Sequence, residues 1–118
     1  MIVEDEFIIA LELEMVLADL GVEVVASAST VDRAVRMAGE IRPDFVTMDV
    51  KLPGGRDGIS GATEIFERFG IRSIFVSAYK DEEMLARAQA AQPLGWVRKP
   101  VAPSALRAVL PRPPGDVN

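Results

Sequence analysis

The sequence predicts an α/β domain built on a doubly wound parallel sheet of five strands, with helices on both faces. Two observations carry this. Short apolar runs and amphipathic helical segments alternate five times along 118 residues, an order that implies parallel strands joined by right-handed crossovers. The strand bodies, such as Phe45-Val46-Thr47-Met48 and Ile74-Phe75-Val76, are largely apolar rather than alternating, as strands covered on both sides require. A hydrophobic fraction of 49% beside a charged fraction of 26% is that of an ordinary globular chain, long enough for one sizeable core.

Met1-Ile2-Val3 reads as a short first strand that meets the acids Glu4-Asp5-Glu6. A helix over 6–20 follows, because Ile9, Leu13, Val16, Leu17 and Leu20 recur at spacings of three and four before Gly21 stops the run. Ile8, Leu11 and Met15 form a second apolar line on that helix. It predicts either a fully buried helix or a docking surface. Val22 to Ala26 reads as the second strand. Ser29 or Thr30 is a candidate N-cap for a helix over 31–41, whose apolar face is Val31, Ala34, Val35, Ala38 and Ile41 and which Pro43 ends. Asp44 to Asp49 is the third strand, and 50–57 is loop. A helix over 58–69 buries Ile59, Ala62, Ile65, Phe66 and Phe69, and Gly70 closes it. Arg72 to Ser77 is the fourth strand. Asp81 caps a helix near 81–91 whose apolar face (Met84, Leu85, Ala88, Ala91) is mostly small, which marks it as a mobile element or a partner surface. Leu94 to Arg98 is a short fifth strand. The last helix, 103–110, packs through Ala105, Leu106, Val109 and Leu110 and is stopped by Pro111, Pro113 and Pro114.

In an open parallel sheet, ligands sit beyond the carboxyl ends of the strands. The sequence places Glu4 and Asp5 at the end of strand one, Asp49 at the end of strand three, Ser77 at the end of strand four and Lys99 after strand five. Singly, each has an ordinary structural reading: acids start helices, a serine caps, a lysine is solvated. Their joint placement on one edge argues for a site. Three packed carboxylates repel one another unless a cation intervenes, and oxygen ligands with room for water suit Mg²⁺. The cation leaves Asp49 able to act as a nucleophile toward a phosphoryl group. Lys99, Ser77 and backbone N–H groups after Asp49 are placed to hold the transferred oxygens.

At this point the residues Val3-Glu4-Asp5-Glu6, Met48-Asp49-Val50-Lys51-Leu52-Pro53-Gly54, Phe75-Val76-Ser77-Ala78 and Val97-Arg98-Lys99-Pro100 together resemble the receiver (CheY-like) domain of two-component response regulators. The resemblance covers nearly the whole chain. It implies a flavodoxin-like sheet of order 2-1-3-4-5 and a receiver domain over 1–111, followed by a proline-rich tail or linker stub over 112–118. Asp49 matches the phosphoacceptor. Glu4 and Asp5 match the acidic pair that holds Mg²⁺, with the Lys51 backbone carbonyl as a further ligand. Ser77 matches the switch hydroxyl, Trp96 the switch aromatic and Lys99 the invariant lysine, and the Lys99–Pro100 bond is expected to be cis. The partners implied are a histidine kinase or histidine phosphotransfer protein upstream, approaching along Ile8, Leu11 and Met15, and a target or output domain downstream, in the cytoplasm of a bacterium. The double-glycine loop, Phe75 to Tyr79 and Pro93-Leu94-Gly95 also resemble receivers paired with one bacterial group of sensor kinases and with stress-response regulators.

Three features depart from the family pattern. The loop 52–58 is one residue longer, and the last helix is short. Trp96 stands where tyrosine or phenylalanine is usual. An indole is larger, so an inward rotamer risks overpacking, and Trp96 is expected to move little while the 78–92 segment does more of the switching.

Composition narrows the competing functions. Cysteine and histidine are both absent, which removes thiol chemistry, imidazole catalysis, His-based zinc sites and an internal phosphohistidine. A net charge of -5 argues against direct nucleic-acid binding, and no apolar run is long enough to span a bilayer. An aspartyl-nucleophile phosphatase usually has a second carboxylate two residues after the nucleophile, where this chain has Lys51, and no histidine replaces it as proton donor. The other alternative is a receiver-like module that binds partners without being phosphorylated.

Overall fold

The computed structural model describes residues 1–111, so the expected tail over 112–118 lies outside the described residues. Five strands, β1 (Ile2–Val3), β2 (Ser27–Ala28), β3 (Val46–Asp49), β4 (Ser73–Ser77) and β5 (Gly95–Arg98), alternate with five helices, α1 (Phe7–Asp19), α2 (Val31–Ile41), α3 (Gly58–Phe69), α4 (Glu82–Ala88) and α5 (Pro103–Val109). All neighbouring strands are parallel and the sheet order is β2-β1-β3-β4-β5, as expected.

The two-residue side-chain period of each strand divides the core. Val3, Val46, Met48 and Phe75 pack with Ala34, Ala38, Ile59, Ala62 and Ile65 under α2 and α3. Ile2, Ile74, Val76 and Val97 face Leu13, Leu17 and Leu106 under α1 and α5. The helix ends follow from local chemistry. The Thr30 hydroxyl accepts from Arg33 N–H, Asp57 from Ser60 N–H and Asp81 from Met84 N–H. Gly70 closes α3 at φ 70°, the left-handed conformation that glycine adopts without penalty.

Four expectations are corrected. Val22–Ala26 is not the paired strand: β2 is Ser27–Ala28, with only Ala26 O accepting from Ile2 N–H ahead of it. Pairing needs a partner, and β1 offers two residues. Ile41 is 43% exposed, since the last turn of α2 has run past the core that holds Ala38. The segment 81–91 is α-helical only through Ala88, then tightens into a 3-10 turn over Gln89–Ala91. Within the apolar faces of α4 and α5, Leu85 and Ala105 are exposed rather than buried.

Candidate functional site

Parallel strands deliver their carboxyl ends to one edge, and that edge gathers the predicted residues. Glu4 directly follows β1, its N–H bonded to Ala28 O at 3.0 Å, and Asp49 is the last residue of β3. Both are 5% exposed, while Asp5 faces solvent. One carboxylate oxygen from each of Glu4, Asp5 and Asp49 lies within 4.8 Å of the others. Lys99 follows β5, held in line by its N–H on Ser77 O at 3.0 Å, and its bond to Pro100 is cis. Its Nζ lies 2.8 Å from Glu4 Oε1 and 3.4 Å from Asp49 Oδ2.

The electrostatics of this cluster fit a cation-assisted acceptor. Burial, then the hydrogen bond and charge of Glu4, push the Asp49 carboxyl up to about 7, and Lys99 only partly opposes them. Burial acts on Glu4 in the same direction, but Lys99, the N–H of Glu6 and Asp49 together hold it below the ordinary range. Lys99 remains a cation: its two carboxylate neighbours outweigh its own desolvation. Two buried carboxylates with one ammonium are undercompensated. A divalent cation on the Glu4, Asp5 and Asp49 oxygens supplies the missing charge, and the residues present fit such an ion.

A cavity of about 290 Å³ opens over Asp49, lined also by Asp5, Lys51, Ser77, Tyr79 and Lys99. Lys51 and Ser77 are therefore at the site. The Ser77 hydroxyl, however, donates to Tyr79 O at 2.6 Å and accepts from Tyr79 N–H at 3.2 Å, so it braces the start of the 78–80 segment rather than reaching the acid cluster. Trp96 sits one strand away, half-buried, its ring stacked on Phe75 at 4.6 Å between centroids.

Ile8, Leu11 and Met15 lie on the solvent side of α1, 62%, 44% and 62% exposed, which settles that helix as one-sided rather than fully buried. Phe7, 76% exposed, extends the patch toward the acids and was not anticipated, although its place just before Ile8 signalled it. A groove of about 580 Å³ beside the patch is lined by Met15, Val16, Pro100, Val101 and Lys99, so the apolar surface leads directly to the site lysine.

Sequence reasoning also missed the support beneath Asp49. Asp57 is more than loop: it caps α3 and binds the Arg87 guanidinium of α4 through both carboxylate oxygens, at 2.9 and 3.2 Å. Gly58 N–H donates to Val50 O at 2.7 Å, and a Cβ on Gly58 would lie 1.8 Å from Asp49 O. The cap was legible as an aspartate before an apolar helical run. The Arg87 contact, 30 residues away, left no sequence signal.

The profile of the response regulator receiver domain matches residues 1–111. The chain is 35% identical over 106 residues to the transcriptional regulatory protein PdtaR of Mycobacterium tuberculosis, covering 90% of this chain and 51% of that protein. It is 32% identical over 111 residues to the phyllosphere-induced regulator PhyR of Methylorubrum extorquens, covering 93% and 41%. It thus spans about half the length or less of these curated relatives. Among solved structures it is similar to the signal receiver domain of a modulated diguanylate cyclase from Desulfovibrio desulfuricans, at 33% identity and TM-score 0.84, covering 92% of this chain and 86% of that one. A LuxR-family response regulator from Aurantimonas superposes at 28% identity and TM-score 0.82, covering 91% and 77%. With the acid cluster Glu4, Asp5 and Asp49 at its sheet edge, the chain belongs to the response regulator receiver domain family, whose members are regulatory phosphoacceptors rather than classical enzymes.

Proposed function

We propose that Asp49 accepts a phosphoryl group from the phosphohistidine of a histidine kinase or phosphotransfer protein, and that the modified domain signals to a target or an output domain. The observation that carries this is a buried Asp49 at the mouth of a cavity, between an acid pair and the Lys99 ammonium. An Asp49 carboxylate oxygen attacks phosphorus, the P–N bond to the donor imidazole breaks, and the imidazole nitrogen takes a proton. Later a water attacks phosphorus, the P–O bond to Asp49 breaks, and inorganic phosphate leaves with the carboxylate restored. Mg²⁺, held by Glu4, Asp5, Asp49 and the Lys51 carbonyl, would neutralise the acids and the phosphoryl oxygens.

Lys99 orients one phosphoryl oxygen as a fixed ammonium donor. Ser77 turns from Tyr79 O to a second oxygen, which releases the 78–80 segment. Trp96 stays stacked on Phe75, so the conformational response falls on the 78–92 segment. The 1–111 region acts as the receiver unit, in the cytoplasm, where the donor presents its histidine.

The donor docks on Phe7, Ile8, Leu11 and Met15. No lysine or arginine occurs before Arg33, whereas Glu6, Glu12, Glu14 and Asp19 surround that patch in sequence. A donor helix with an apolar stripe flanked by basic residues complements it.

The test is intact-protein mass spectrometry after incubation with Mg²⁺ and a small acyl phosphate. A phosphate adduct that is lost in Asp49→Asn supports the proposal. No adduct with any donor makes the domain a non-phosphorylated binding module instead.

A further inference from the structure

We infer that Arg87 is a positioning residue that couples helix α4 to the phosphoacceptor through a clamp on Asp57, an inference that rests on Asp49 being the phosphoryl acceptor. Helix α4 is held lightly: seven residues long, it buries only Ala88, with Met84 partly buried against the core. Among the described residues, the Arg87–Asp57 pair is the one ion pair that ties α4 to another element. It is bidentate, and Asp57 is not a passive surface acid. The same carboxylate caps α3 through Ser60 N–H at 2.9 Å, so the guanidinium grips a group whose position is already set.

From Asp57 the contact continues without a gap. Gly58, the next residue, lies so close to the Asp49 backbone that no Cβ fits between them, and its N–H holds Val50 O. A displacement of Asp57 therefore reaches the phosphoacceptor backbone through covalent bonds and one van der Waals contact. The segment that leads into α4 is bonded at the same site: the Ser77 hydroxyl donates to Tyr79 O, three residues before Glu82. The clamp is present while Ser77 is turned toward Tyr79, and it belongs to that resting arrangement. Because coupling is reciprocal, loosening the clamp eases the arrangement that a phosphoryl group on Asp49 favours.

The experiment uses the full chain with Mg²⁺ and beryllofluoride as a phosphoryl mimic, its affinity read by calorimetry, alongside hydrogen exchange of the 82–88 amides. Asp57→Asn keeps an N-capping oxygen while removing the charge, so α3 stays capped. Arg87→Ala and Asp57→Asn should each speed exchange in α4 and tighten beryllofluoride binding about threefold, the scale of one half-exposed bidentate pair. The double variant should add nothing to either single one. Faster exchange with unchanged affinity would reduce the pair to a structural staple and overturn the coupling. Weaker binding, or additive single effects, would overturn it as well. If the unsubstituted protein neither binds beryllofluoride nor forms an adduct, the phosphoacceptor reading has failed and the clamp's role falls with it.

Discussion

Replacing Gly58 by alanine tests whether the Asp49 site depends on a backbone contact that no side chain can replace. The added Cβ would sit 1.8 Å from Asp49 O, 2.8 Å from Asp49 C and 2.9 Å from Met48 Cγ. The first two are backbone atoms of the last residue of β3, paired with Val76 of β4, so they cannot rotate away as a side chain can. Relief requires the start of α3 or the end of β3 to move by more than an ångström, breaking the 2.7 Å bond from Gly58 N–H to Val50 O. Overpacking of this kind costs about 3 kcal/mol. That lowers the melting temperature by roughly 10 °C in a domain of this size. Because the moved atoms belong to Asp49 itself, the fraction that still folds should form little phosphate adduct. Gly61→Ala is the control. It is buried on the same helix, and its Cβ would meet Val31 Cγ1 at 2.9 Å, a buried side chain stiff at its first torsion, but its three nearest atoms include none of Asp49. It should lose some stability, offset in part by helix propensity of up to ~1 kcal/mol, while still forming the phosphate adduct. Thermal melts and intact mass, run together, decide the matter. If Gly58→Ala melts within about 2 °C of the parent and is phosphorylated normally, the close approach is not what positions Asp49.

Four further outcomes are expected. Without divalent cations, Asp49 has a higher pKa folded than unfolded, so the folded state holds an extra proton. Its contribution to stability should then fall as pH rises from about 4 through about 7, opposite in sign to the contributions of the lowered Glu4 and Asp57 carboxyls, and Asp49→Asn should remove that fall in chelator-treated melts; an unchanged profile would place the titration elsewhere. Thr47 is buried beside Ile2 and Ile74, and its hydroxyl has no hydrogen-bond partner. Thr47→Val should therefore stabilise by about 1 kcal/mol in urea titrations, and a loss of stability would reveal a partner for that hydroxyl. Charged residues at Ile8 and Leu11 should slow transfer from a protein donor at least tenfold while sparing small acyl phosphates, and equal slowing of both would contradict docking on α1. Trp96 fluorescence should change little on adding Mg²⁺ and beryllofluoride, and a large shift would show that the indole moves.

The order of elements was legible because apolar periodicity is local. Leu13 and Leu17, or Ile59, Ala62 and Ile65, announce their buried faces without reference to anything distant. Where the expectation slipped, a partner decided. Val22–Ala26 has strand composition but faces a first strand of two residues, so pairing moved on to Ser27–Ala28. The exposure of Ile8 and Leu11 was equally undecidable from spacing alone, since a second apolar line fits both a buried helix and a docking face.

The chemistry of the sheet edge was determined by the sequence itself. Parallel topology follows from alternation, topology sends every strand's carboxyl end to one side, and the residues at those ends are Glu4, Asp49, Ser77 and Lys99. Only the tertiary structure decided how they are engaged. Lys99 lies nearer Glu4 than Asp49, Ser77 is bonded to Tyr79 O, and Asp57 joins α3 to Arg87 of α4. The reason is physical: residue type limits what a group can do, but contacts between groups separated by tens of residues depend on distances of a few tenths of an ångström, which packing sets and spacing does not encode.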